Sequence, residues 1–211
     1  MLPPTIPIFP LPNVVLFPNV FLPLHIFEPR YRVMVADALR GDRIIGLTLL
    51  QPGFEADYEG RPPVYPIGCA GLITHSEALP DGRFNIVLRG MEKFRITGED
   101  DSRTYRLAAI DALPETLTEA DRTEVRQRRL RLEAVLAATI ERTGGEPRFP
   151  PAVPDEDLVN ALAQYLPLEP LERQALLERD GIAARCRGLI ELLEMHTLTG
   201  GRKAWKDRSV H

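Results

Sequence analysis

The pattern of hydrophobic and polar positions changes abruptly near residue 115. Before this point, short apolar runs are separated by proline, glycine and polar residues, a pattern typical of β structure. After it, apolar residues recur at helical spacing. The sequence therefore predicts an α+β protein with three regions: a β-rich lobe over 1–114, a helical lobe over 115–200 and a polar tail over 201–211.

The β-rich lobe contains about seven or eight apolar runs of strand length. Asp81-Gly82 separates two of them and predicts a tight hairpin turn, because glycine readily adopts the backbone angles that such turns need. We expect a compact barrel or sandwich, since many short strands must close on one another to bury their apolar faces. The predicted strands cover residues 5–9, 14–17, 43–50, 64–67, 69–75, 83–88, 93–97 and 104–110.

One helix is predicted inside this lobe, over residues 29–40. Pro29 suits a first helical turn, because its fixed backbone angle matches a helix and its missing N–H is not needed there. From Tyr31 and Met34 onwards, apolar residues recur at helical spacing, and Gly41 marks the end of the segment.

The helical lobe begins with a capping signature. Thr118 and Asp121 stand where a capping box places its two side chains, with aspartate in place of the usual glutamate. They predict the start of a long helix that ends before Gly144. Three shorter helices are predicted over 155–166, 170–180 and 182–198.

Composition and charge narrow the classes of function. The chain has 30 acidic and 26 basic residues and a net charge of −4, which opposes long-range attraction to nucleic acid and to anionic membranes. The amino terminus lacks a basic segment and has five prolines within its first twelve residues. It therefore predicts neither a signal peptide nor a membrane span, and we expect a cytoplasmic protein.

Candidate catalytic and metal-binding residues are few. His25 lies close to Glu28 and could act as a base held by that carboxylate, but the sequence offers no partner nucleophile, so a structural role at a domain corner is preferred. Glu28, Arg30 and Tyr31 are expected to cap and fix the first helix. We predict no metal and no cofactor, because the remaining histidines, His75, His196 and His211, have no metal-ligand spacing with one another or with Cys69 and Cys186.

Exposed aromatic residues are the better candidates for a binding site. The loop over 51–63 carries Phe54 and Tyr58 among acidic residues, where the rings could contact a partner or fold back over the barrel. Trp205, the only tryptophan, lies in the basic tail and is a second candidate anchor.

Several segments of the chain form a distinctive set, because they occur in a fixed order and at compatible spacing. They are FPLPNVVLFP at 9–18, LHIFEPRYRVMV at 24–35, IGCAGLI at 67–73, DGRFNIVLRGMEKFRI at 81–96 with Tyr105, and LPLEPLERQALLE at 166–178. Taken together, these segments resemble the Lon amino-terminal domain. The resemblance implies a PUA-like β pseudo-barrel followed by a helical bundle, and a role in recognising unfolded or degron-bearing polypeptide.

The catalytic motifs of full-length Lon are not found in this sequence. A Walker loop needs a lysine after glycine and before serine or threonine, and Lys93, Lys203 and Lys206 have neither neighbour. No serine stands in the small-residue motif of the family's nucleophile. The sequence therefore predicts a stand-alone, ATP-independent protein without enzymatic activity.

The partner remains open between unfolded polypeptides and one specific protein, and the chain could be a monomer or a homodimer. A different class, an RNA-binding module, is the alternative, because PUA-like folds include RNA binders. The basic residues that favour it are Arg83, Arg89, Lys93, Arg95, Arg103 and Arg106. The acidic residues among them, such as Asp81 and Glu92, argue against it.

Overall fold

A computed structural model of the chain describes residues 1–54, 60–142 and 153–198, without the side chains of 139–142. The chain forms two compact units, Met1–Pro114 and Glu115–His211. Within the described residues, the first contains a mixed sheet of six strands and one helix, and the second contains four helices. The α+β fold class is confirmed.

The first unit is built around a closed barrel. Strand β1 pairs in parallel with β3, and β6 pairs with both β1 and β5, so that β1, β3, β4, β5 and β6 form a ring. Strand β2 lies outside this ring and pairs with β5. The elements are β1 Thr5–Leu11, β2 Phe21–Ile26, α1 Pro29–Arg40, β3 Ile44–Leu49, β4 Ile67–Ala78, β5 Phe84–Asp100 and β6 Arg106–Leu113.

Strand β5 connects the barrel to the additional strand. Its first part, from Phe84 to Arg89, pairs with β2, and its second part, from Lys93 to Asp100, pairs with β6. Strand β4 pairs with β5 on the other side from Phe84 to Arg95. The β4–β5 hairpin therefore extends beyond the barrel and carries β2 as the third strand of a small antiparallel sheet.

The barrel core is packed around Phe94, whose side chain is fully buried. A Cβ atom at Gly46 would lie 2.7 Å from the Phe94 ring, and one at Gly68 would lie equally close to it. These two glycines leave the space that the ring fills. Small residues on β3 and β4 thus allow an aromatic side chain from β5 to fill the centre.

Several predictions for the β-rich lobe are confirmed and others are wrong. The helix over 29–40 and the hairpin at Asp81-Gly82 are present, and Gly82 has a φ of +79°, which favours glycine. The predicted strand over 14–17 is instead an irregular buried segment, and β2 was missed. The segments 64–67 and 69–75 do not form two strands, because β4 begins at Ile67 and Val64 makes a single bridge to Leu50.

The second unit is a bundle of helices. Thr118 and Asp121 form the expected capping box, with N–H···O distances of 3.0 and 3.1 Å. Hydrogen bonds from the Thr118 hydroxyl and the Thr118 N–H hold the pKa of the Asp121 carboxyl below its usual value. The helices are α2 Glu119–Arg142, α3 Asp155–Tyr165, α4 Pro170–Leu177 and α5 Gly181–Leu198. None of the described helices is long and apolar enough to cross a membrane.

An arginine on α5 lies at the centre of this bundle. The Arg185 side chain is fully buried and donates to the Asn160 side-chain oxygen at 2.8 Å and to the Leu176 carbonyl at 3.2 Å. Both terminal nitrogens also contact the Glu115 carboxylate. The guanidinium therefore ties together α3, α4, α5 and the segment that leads into α2.

Both cysteines are buried and unbridged. Burial raises the pKa of the Cys186 thiol from 9.0 to about 11, so at pH 8 its thiolate is about a hundredfold rarer than that of an exposed cysteine.

We expect a thiol reagent at pH 8 to modify the folded Cys69→Ser variant more than a hundredfold slower than the same variant unfolded in guanidinium. A fast reaction in the folded state would contradict the buried position.

Candidate functional site

The structure describes one of the three aromatic residues predicted to bind a partner. Phe54 is 41% exposed, at the beginning of the predicted binding loop. Tyr58 and Trp205 lie outside the described residues, as does the tail over 201–211. Phe54 is thus accessible, and its role in binding stays a prediction.

The base of the loop over 51–63 is fixed by hydrogen bonds between its two ends. The N–H of Gln51 donates to the Pro63 carbonyl at 3.0 Å, and its side chain donates to the Val64 carbonyl at 3.2 Å. Leu50 and Val64 form a β-bridge next to these bonds. Phe54 therefore follows a well-anchored stem.

A buried arginine strengthens that stem. Arg106 on β6 donates to the Pro62 carbonyl at 2.6 Å and forms an ion pair with Glu99 on β5, with Nε 2.7 Å from the carboxylate. Arg106 was predicted among the basic residues of a possible RNA-binding surface. Its burial and its carboxylate partner place it instead in the support of the loop.

The other basic residues of that group are also largely engaged within the protein. Lys93 is buried, Arg83 pairs with Asp81 at 2.6 Å, and Arg89 donates to the Asn19 side chain at 3.3 Å. Arg103 lies 3.7 Å from the Asp37 carboxylate. Arg95, the sixth of the group, is exposed. These contacts reduce the positive charge available to a phosphate backbone.

The acidic residues at the end of β5 and directly after it also contact groups of the protein itself. Glu99 pairs with Arg106, Asp101 pairs with Arg61, and Asp100 accepts the N–H of Ser102 at 2.7 Å. Within the described part of the chain, no group of three or more His, Cys, Asp or Glu side chains could hold a metal ion.

A second exposed apolar surface lies on the small β2–β5–β4 sheet. Pro23 of β2, Val87 of β5 and His75 of β4 stand opposite one another in the strand register and project from the same side of the sheet. Phe21, two residues before Pro23, projects from this side as well. We call this side the outer face. Phe21 is 51% exposed, and Phe27, directly after β2, is 60% exposed.

A shallow groove of about 330 Å³ runs along the outer face. Aliphatic groups dominate its lining, and two imidazoles and one amide add polar character. The lining residues are Pro23, Leu24, His25, His75, Asn85, Ile86 and Val87. Its composition suits an apolar side chain that enters between polar groups.

His25 is fixed at one end of this groove by a chain of hydrogen bonds. Its Nδ1 lies 2.8 Å from the Asn85 oxygen, and its Nε2 lies 3.1 Å from a terminal nitrogen of Arg83. Because Arg83 can only donate, Nε2 accepts and Nδ1 donates to Asn85. The ring does not contact Glu28, which pairs with Arg30 at 3.1 Å, so the interpretation of a base held by Glu28 is wrong.

Both surfaces have features that recognition surfaces share. Phe54, beyond the loop stem, and Phe21, on the outer face, present apolar groups within polar surroundings. The outer face was missed because β2 was missed. The available signal was the alternation of Leu22, Leu24 and Ile26, which face inward, with Phe21, Pro23 and His25.

Comparison with known proteins gives a consistent result. The family model of the ATP-dependent protease La (LON) substrate-binding domain matches residues 5–195. The chain is 28% identical over 203 residues to Lon protease 2 of Myxococcus xanthus, a match that covers 91% of the chain and 24% of the relative. It is also 28% identical over 213 residues to Lon protease 1 of Herpetosiphon aurantiacus, covering 96% of the chain and 26% of the relative. The chain thus spans about a quarter of the length of these relatives.

Two solved structures share the fold. The N-terminal domain of the Mycobacterium avium complex Lon protease aligns with a TM-score of 0.65 at 16% identity, over 91% of this chain and 99% of that chain. A Lon N-terminal domain protein from Xanthomonas campestris aligns with a TM-score of 0.60 at 24% identity, over 89% of this chain and 97% of that chain.

Proposed function

Because the chain belongs to the family of Lon substrate-binding domains, whose model matches residues 5–195, we propose that it recognises unfolded or degron-bearing polypeptide segments without altering them chemically. The family match is the observation that carries this proposal. The matched region corresponds to the substrate-binding domain of Lon and not to its catalytic domain.

The exposed apolar groups of the first unit support a recognition role. An unfolded chain exposes apolar side chains, and their transfer from water to an apolar surface is the main driving force for association. Phe54, at the start of the binding loop, and Phe21, on the outer face, each offer a large accessible ring. Aromatic residues in such positions often contribute most of the binding energy.

The test of this function is binding of a permanently unfolded polypeptide. Labelled lactalbumin, reduced and carboxymethylated, is titrated with the purified chain and followed by fluorescence anisotropy. We expect saturable binding that weakens about fivefold or more when Phe54, Tyr58 or Phe21 is replaced by alanine, since loss of a contact aromatic commonly costs over 1 kcal/mol.

A matched control is provided by Leu130→Ala. Leu130 is 76% exposed on α2 and belongs to neither candidate surface, so its removal should leave the affinity unchanged. A labelled RNA oligomer is titrated in parallel at two salt concentrations. Binding of RNA alone, falling steeply with salt, would replace the proposed function by the RNA-binding alternative.

A further inference from the structure

Strand β2 has an open edge on the first unit. Among the strands that the structure describes, each of the others pairs with at least two neighbours, whereas β2 pairs only with β5. Pro23 and His25 of β2 are both exposed. An open strand edge is a template for pairing with another extended chain.

The backbone groups that face this edge follow from the register. Gly90 of β5 donates to the Val20 carbonyl at 2.9 Å, and Val20 stands two residues before Leu22, which is opposite Leu88. Because hydrogen-bonded pairs alternate along an antiparallel ladder, Leu22 and Leu24 direct their backbone groups towards β5. Pro23 and His25 therefore direct theirs towards the open edge, where Pro23 offers a carbonyl and His25 offers both an N–H and a carbonyl.

The groove on the outer face adjoins this edge, since Pro23 and His25 both line it. A strand added beside β2 would place alternate side chains on the outer face, next to Pro23 and His25 on the near side of the groove. An apolar side chain at such a position would leave water for the apolar lining. The edge can thus bind the backbone while the groove selects the side chain.

Opposite charges stand at the two ends of the outer face. Arg89 lies opposite Phe21, and Glu77 lies opposite Asn85, which is itself opposite His25. A segment with an acidic residue towards Arg89 and a basic residue towards Glu77 would complement both ends. The charges therefore favour one direction of the bound segment.

We propose that the chain binds polypeptide by strand addition: an extended segment pairs with the β2 edge at Pro23 and His25 and places an apolar side chain in the groove. This inference rests on the proposed function and specifies its substrate class, an extended unfolded segment with free backbone N–H groups. Folded helices cannot satisfy this edge, because their backbone groups are already paired.

A second copy of the chain is a poor occupant of the same edge. A symmetric antiparallel β2–β2 pair centred on Pro23 would place two prolines opposite each other. Each Pro23 carbonyl would then face the nitrogen of the partner's proline, which has no hydrogen to donate, so both carbonyls would stay without a partner. Pro23 thus disfavours this self-pairing while leaving His25 available to a different chain.

The first test adds the missing donor. Pro23→Val keeps an apolar side chain in the groove and supplies an N–H at the open edge. We expect the affinity for unfolded lactalbumin to increase about three- to tenfold, the value of one additional backbone hydrogen bond. An unchanged or weaker affinity in a variant with native circular dichroism would contradict strand addition.

The second test uses the unaltered chain, so it does not depend on folding of a variant. Overlapping peptides of lactalbumin are screened, and each backbone amide of the tightest peptide is N-methylated in turn. Strand addition predicts a loss of about tenfold at alternate positions, because only every second N–H faces β2.

The possible failures are distinguishable. If the peptide binds but N-methylation shows no alternation, strand addition is wrong and the proposed function stands. If neither lactalbumin nor its peptides bind, the proposed function and the inference both fail.

Discussion

Replacement of Arg185 by methionine is expected to lower the free energy of unfolding of the helical unit by about 3–5 kcal/mol, the usual cost of removing one partner of a buried ion pair. Methionine preserves much of the length of the side chain but none of its donors. The Glu115 carboxylate and the Asn160 side chain would then lose the guanidinium that they contact in the folded bundle. Chemical denaturation followed by helical circular dichroism measures the loss.

Arg187→Met is the matched control for this prediction. Arg187 lies two residues further along α5 and also pairs with a glutamate, Glu124, but its side chain is 43% exposed. Exposed ion pairs contribute about 0–1 kcal/mol, so this variant should be nearly as stable as the parent. Equal losses in the two variants would show that burial is not what makes Arg185 important.

A double variant separates the ion pair from the packing. When Glu115 is also replaced by leucine, no unpartnered carboxylate remains, and most of the stability lost in Arg185→Met should return. If the double variant is as unstable as the single one, the main contribution of Arg185 is its hydrogen bonds to Asn160 and to the Leu176 carbonyl.

The starts of the helices and the turn of the β4–β5 hairpin could be predicted from sequence because their signals are local. The capping box at Thr118 and Asp121, the proline at the start of α1 and the glycine at position 82 each act within a few residues. Such local devices determine where an element begins or turns whatever its tertiary neighbours are. The predicted boundaries of α1 therefore agree with the structure.

Strand β2 was not predicted, because its pairing depends on distant parts of the chain. Hydrophobicity reports burial, and it does not report whether a segment has a strand partner. The apolar run over 14–17 is buried without being a strand, whereas β2 contains Pro23 and still pairs with β5. Proline has no N–H, so it interrupts a ladder only where its nitrogen faces a neighbouring strand. The nitrogen of Pro23 faces the open edge, and the pairing with β5 is therefore kept. That geometry depends on the sheet and cannot be read from the chain alone.

The two buried arginines were also beyond sequence reasoning. Arg106 pairs with a residue 7 positions away, and Arg185 contacts a residue 70 positions away. In the sequence, both look like the many exposed arginines around them. Only the fold brings each guanidinium next to a carboxylate at a buried position. For this reason Arg106 is not part of an exposed basic surface that could bind RNA.

Gly90→Ala is expected to destabilise the first unit by about 2–4 kcal/mol, as overpacking against a rigid neighbour does. A Cβ at this position would collide with the Phe17 carbonyl oxygen and would lie 2.8 Å from the Phe17 carbonyl carbon and 3.2 Å from Pro18 Cα. These are backbone atoms, so no rotation of a side chain can relieve the contact.

Gly98→Ala is the matched control on the same strand. A Cβ at Gly98 would meet nothing within 4 Å, so this variant should keep or slightly increase the stability. Thermal unfolding of the two variants and the parent measures the difference. Equal stability of Gly90→Ala and the parent would contradict the tight approach of the Phe17 segment to β5.

The position of Gly90 also links stability to recognition. Its N–H donates to Val20 and its carbonyl accepts from Asn19, both at 2.9 Å, so β5 cannot move away from the Phe17 segment without breaking these bonds. Gly90 lies between the part of β5 that pairs with β2 and the part that pairs with β6. Displacement there would shift β2 and its open edge relative to the barrel. Under conditions where both variants are folded, Gly90→Ala should therefore bind unfolded lactalbumin more weakly than Gly98→Ala, since only the former disturbs the strand that we propose to pair with polypeptide.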